Sequence, residues 1–241
     1  MKKQSDRIVL IVFAFMLLVV LRVSGEGETK VKRENLSEDQ VKILEDFMLT
    51  PERIESMTLT KTEEGLVKAF EKGTEFLSQR YPGETFHFIS LSGDRREYVE
   101  SYTYKMHAEK SDCDFTLRAR PAGEEQWNFL ENYYARYRKQ ELEDWIREIL
   151  KDSGIEAELI EAHINGMVGK ETNPGRSIQE ACCERPHSVL IKVRIKDIGL
   201  LGELEKVAPV FSQKGLTGLL VPENEQGVIP GEGVVLKREG E

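Results

Sequence analysis

The chain has 241 residues, a net charge of −9 at pH 7, and 32% charged side chains against 39% hydrophobic ones. So acidic a surface repels phosphate backbones and excludes nucleic acid as a partner, since the longest basic stretch, Arg136 to Lys139, is flanked by Glu131, Glu141, Glu143 and Asp144. Three cysteines are an odd number, which fits neither a disulfide-dense scaffold nor a four-ligand zinc site.

Ile8 to Leu21 reads IVLIVFAFMLLVVL without a polar residue, behind Lys2, Lys3 and Arg7. This is the basic and hydrophobic pairing of an export signal. Its length lies between a signal-peptide core and a spanning helix, so two readings stand: an anchor over residues 8–24, or a signal cleaved near Gly25. Both place residues 26–241 outside the cytoplasm. Arg22, Lys30, Lys32 and Arg33 rival the leading charges, but long domains translocate largely regardless of such flanks. The first 25 residues carry four basic side chains and one acidic, so the remainder is near −12. In an oxidising compartment Cys113 can pair with Cys182 or Cys183 and leave one thiol free; the alternative is three unpaired cysteines.

Residues 26–36 are charged and read as a flexible tether. Ser37 and Gln40 form a capping box that opens a helix over 38–48, with Val41, Leu44 and Met48 on one face. Thr60 and Glu63 form a second box, and Leu66, Phe70, Leu77 and Tyr81 follow at helical spacing to Pro82-Gly83. Three extended runs come next, at 85–91, 98–107 and 113–119, separated by short turns that favour an antiparallel meander. Residues 123–152 carry the longest helical pattern, from Trp127 through Tyr134 to Ile149. Glu156–His163 and Ser188–Lys196 alternate as strands, the second with Val189, Ile191, Val193 and Ile195 inward. Between them, 165–186 reads as a long loop of the kind that carries function or stays disordered. Leu200 to Phe211 form an amphipathic helix that Pro209 should kink or end, and 216–221 a last strand.

The expected architecture is α+β: a mostly antiparallel sheet with helices on one face, behind an N-terminal transmembrane or signal helix. From residue 112 the order is strand, helix, strand, strand, helix, strand, the ferredoxin-like split βαβ arrangement. The expected divisions are a signal or anchor at 1–25, a tether at 26–36, a helical segment with antiparallel strands at 37–111, a βαββαβ unit at 112–221, and a Pro, Gly and Glu rich tail or edge hairpin at 222–241.

Motifs for chemistry are sparse. His163, Cys182, Cys183 and His187 bracket the long loop and are the candidates for a hydrolase site. Adjacent cysteines lack the spacer that metal chelation uses, so neither a metal nor a cofactor is expected. His107, Asp112 and Cys113 are close in sequence, but Cys113 falls on the buried parity of its strand. Trp127, Tyr133, Tyr134 and Tyr137 cover more than one helix face, which makes them a candidate surface for a glycan, a small ligand or another subunit. With no nucleophile elbow or phosphate loop, the leading expectation is a membrane-tethered, non-enzymatic module that binds another envelope protein or itself.

Overall fold

The computed structural model describes residues 29–30, 36–56, 58–92, 101–123, 126–195, 201–224, 227–228 and 233–237. The chain divides into two compact units, residues 1–70 and 71–241. The division falls inside one helix, and the units are described in turn.

In the first unit, β1 (Thr29–Lys30) pairs antiparallel with β2 (Thr58–Leu59), so part of the expected tether joins a two-residue ladder. Helix α1 (Glu38–Asp46) starts with both hydrogen bonds of the Ser37–Gln40 box. It ends two residues earlier than expected, because Met48 turns into the left-handed region at φ 68°. Met48 is therefore exposed, while Ile43, Leu44 and Leu49 are buried. Helix α2 (Pro51–Ser56) follows. Leu44, Leu49, Ile54, Leu59 and Val67 form a small core.

Helix α3 (Lys61–Arg80) opens on the Thr60–Glu63 box, with the Thr60 amide donating to Glu63 at 2.7 Å. Glu63 also pairs with Arg53 at 2.9 Å.

The second unit holds two sheets. Strands β3 (Phe86–Leu91), β4 (Tyr102–Ala108), β5 (Cys113–Gly123) and β6 (Gln126–Glu131) make an antiparallel meander in that order. Phe86, Phe88, Tyr104, Met106, Phe115, Leu117 and Ala119 are buried on one face. Gly73 of α3 lets Leu117 come close, since a Cβ there would lie 2.6 Å from the Leu117 side chain, and Phe76 stacks on Phe129 at 5.2 Å. The opposite face carries His87, Lys105, His107, Asp114 and Arg118.

After β6 come α4 (Tyr133–Tyr137), α5 (Lys139–Asp152) and β7 (Ala157–Ile164). Then α6 (Ile178–Glu184), β8 (His187–Ile195), α7 (Leu201–Gln213) and β9 (Leu216–Asn224) follow. β7 and β8 pair antiparallel, and β8 and β9 pair parallel around α7. The tail adds β10 (Gly227–Val228) and β11 (Val234–Leu236), both antiparallel to β9. Leu142, Trp145, Ile146, Ile149, Val207 and Phe211 from the helices pack with Val189, Ile191, Val193 and Leu220 from the sheet. Each such burial contributes about 1.5–3 kcal/mol.

The α+β class therefore holds, with two mostly antiparallel sheets. Three expectations change. The helical pattern from 123 begins as β6, because Trp127 and Phe129 face the inner side while Asn128 and Leu130 pair across to the outer side of β5. Spacings of two and of three to four coexist there, and cross-strand pairing decides. In consequence β5 belongs to the meander, and no βαββαβ unit forms with β7, β8 and β9. The 165–186 loop contains α6, opened by a Ser177–Glu180 capping box. Of the kink or end expected of Pro209, the end does not occur: α7 runs past it to Gln213, with Val207, Ala208 and Phe211 buried on both sides of it.

Among the described residues no helix is long and apolar enough to cross a membrane. Residues 8–24, where that expectation fell, lie outside them, as does Tyr98.

Gly215, at φ 78°, makes the turn into β9, and a Cβ there would overlap the Cys182 carbonyl. Gly215→Ala is expected to destabilise the second unit by roughly 2–3 kcal/mol, through both backbone strain and the clash, read as a lowered denaturant midpoint.

Candidate functional site

The most perturbed side chains gather where the two sheets of the second unit meet. Glu131, the last residue of β6, makes an isolated antiparallel bridge with Val168, with reciprocal backbone hydrogen bonds of 2.8 and 2.7 Å. Its side chain is fully buried. The Tyr81 hydroxyl donates to Oε1 at 2.7 Å, the Tyr134 amide donates to Oε2 at 2.8 Å, and the Arg80 Nη2 lies 3.5 Å from Oε1. Burial raises the Glu131 carboxyl above its usual range against the pull of these donors. Burial, and then the Glu131 charge, push the Tyr81 hydroxyl far up. Arg80 stacks over Phe76 and Tyr81 at 5.0 and 5.7 Å. Sealed from water, this knot joins sheets and offers no proton to a substrate. Its signal in the sequence is slight: one carboxylate set between Leu130 and the Tyr133-Tyr134 pair.

The long loop is tied down from α5. Arg138 donates to the Pro174 and Arg176 carbonyls at 2.5 Å each, and Glu141 accepts from the Ile178 amide at 2.6 Å. Cys182 faces inward on α6 while Cys183 faces water. Burial, and then the neighbouring Cys183 and Glu141, push the Cys182 thiol up to about 12, so it stays protonated. His187 is buried with Nε2 unpartnered, and its ring lies 5.9 Å from that of Tyr134. Burial, and then Arg185, lower its pKa and keep it neutral at physiological pH. His163 is half-buried, with Nδ1 3.7 Å from Glu161. The four loop residues therefore do not assemble a thiolate beside a base.

Cys113, Cys182 and Cys183 are all free thiols in this structure. Cys113 lies opposite Ala108 on the buried parity of β5, itself half-buried at the strand's start, and burial raises its thiol. The aromatic set is mostly structural. Tyr133 and Tyr134 are buried, Trp127 sits on β6 with its ring 5.6 Å from Tyr102, and Tyr137 alone of the four is exposed. Tyr133 instead completes a second knot. Its hydroxyl and that of Ser111 donate to Glu84 Oε2 at 2.8 and 2.6 Å, and the Lys110 and Thr85 amides donate to Oε1 at 2.7 and 3.0 Å. Burial raises the Glu84 carboxyl, but these four donors outweigh it and hold the group at about 2.

What remains accessible is sheet surface. Across the second sheet, His163, Leu190, Leu219 and Val235 stand in one register row on the face away from α5 and α7. Leu190 and Leu219 are half-buried and Val235 is exposed. Among the described residues no group of three His, Cys, Asp or Glu side chains is arranged to hold a metal ion. Comparison with known proteins finds no matching family model, curated protein or solved structure.

Two consequences are measurable. Glu131→Ala strands Arg80, the Tyr81 hydroxyl and the Tyr134 amide, and is expected to cost about 3–5 kcal/mol in denaturant unfolding. Because the Glu84 pKa is depressed on folding, its stabilisation is present above pH 4.5 and is lost as pH falls toward 2. The stability difference between the natural chain and Glu84→Gln, measured by urea titration, should shrink across that window.

Proposed function

We propose that this chain is an extracytoplasmic α+β module, tethered to a membrane through residues 8–24, that binds another protein and is not an enzyme. The export reading rests on the apolar run Ile8–Leu21 behind three basic residues. The binding reading is carried by the Leu190, Leu219 and Val235 row, aligned across β8, β9 and β11 on the face of the second sheet away from α5 and α7. Aligned apolar side chains that keep part of their surface in water gain free energy when a second surface removes them from it, about 25 cal/mol per Å². Anchoring supports the same reading, since a membrane keeps such a surface at high local concentration. The protonated Cys182 thiol and neutral His187 favour it over a hydrolase at the 165–187 loop.

The test is a photo-crosslinking amino acid placed at Val235 of the intact chain in its own membrane, with the same group at exposed Glu148 on α5 as control. One discrete adduct from position 235, lost in Leu219→Lys and absent from position 148, is expected. Equal or absent labelling at the two positions would refute the binding surface. A reporter active only outside the cytoplasm, fused after Glu241, should be active; a silent fusion would refute the compartment.

A further inference from the structure

We infer that the open face of the meander carries a two-histidine site for a divalent transition-metal ion, formed by His87 and His107. The inference is independent of the membrane reading. It starts from register: His87 on β3 lies directly opposite His107 on β4, and His107 directly opposite Asp114 on β5. Facing residues on neighbouring antiparallel strands have Cβ atoms about 4.5–5.5 Å apart. Two imidazoles at that spacing can converge on one ion at the roughly 2.0–2.1 Å that zinc–nitrogen bonds require.

The nitrogens are already sorted. His107 Nδ1 lies 2.9 Å from Asp114 Oδ1. An Nδ1–H donated to that carboxylate fixes the tautomer and leaves the Nε2 lone pair free, the outer-shell arrangement that orients metal-binding histidines. His107 Nε2 lies 3.9 Å from Asp112, and His87 Nε2 lies 3.4 Å from Glu109. His87 Nε2 donates its proton to that carboxylate, which leaves Nδ1 as the free nitrogen of His87, and Glu109 and Asp112 belong to one turn, closed by the Asp112 amide donating to the Glu109 carbonyl at 3.4 Å, with Asp112 at φ 44°. Three carboxylates, Glu109, Asp112 and Asp114, around the two imidazoles give a field that favours a cation, which Lys110 on the same turn reduces in part. Imidazole nitrogen ligands suit zinc, nickel and copper, whereas calcium and magnesium take oxygen. The protein supplies two ligands, water fills the remaining positions, and binding needs no cavity because both rings reach solvent.

Isothermal titration of the full chain in detergent with zinc ion alone, thiols kept reduced, is the test. One ion per chain is expected at pH 7.5. His87→Ala and His107→Ala should each abolish that binding, and Asp114→Asn should weaken it roughly 10–100-fold. A thermal melt in zinc at about a hundred times the dissociation constant should rise by roughly 5–10 °C for the natural chain and not for the histidine variants. The metal-free melts of these exposed variants report whether they fold. Zinc binding that survives both histidine substitutions, or no saturable binding at pH 7.5, would overturn the site.

Discussion

The second unit depends on one buried carboxyl. Glu131 sits where β6 leaves the meander, and its backbone clasps Val168 beyond β7. Its side chain accepts from Tyr81 at the end of α3 and from the amide that begins α4. One residue therefore fixes the exit of a sheet, the close of a helix, the start of another and the entry to the second sheet's long connection. A charge so placed costs several kcal/mol in lost hydration unless its neighbours answer it, so the donors around it must all be present together.

That constraint explains which parts of the fold were legible in the sequence. Helices α1 and α3 announced their starts through capping boxes, local signals whose donors and acceptors lie three residues apart. β8 announced itself through strict alternation, and its four inward residues are all buried. The segment 126–131 was ambiguous because its aromatics satisfy both periods, and only its pairing with β5, which no local pattern encodes, resolves it. Once that segment is a strand, the meander closes at four and the ferredoxin-like order cannot form. Helix α6 was hidden in a run whose Gly, Asn and Pro residues precede it, although Ser177 and Glu180 carried the same capping signature used elsewhere.

Legibility of the candidate sites differs for a similar reason. The residues His163, Cys182, Cys183 and His187 bracket one long loop, yet strand parity and helix facing send them to different environments. The His87 and His107 pair has no motif. The two stand twenty positions apart, and only the β3 and β4 register sets them side by side. The open row on the second sheet was half visible, since outward parity in β8 was readable, whereas the parallel partner β9 and the tail strand β11 that extend it were not.

Neighbouring Cys182 and Cys183 have opposite fates on a single helical turn. A thiol-modifying reagent meets the second at once, whereas the first becomes reachable only when α6 lifts from the sheet beneath it. The chain thus carries an internal clock for partial opening: fast uptake of one label calibrates the reagent, and slow uptake of the other times how often this corner of the molecule breathes.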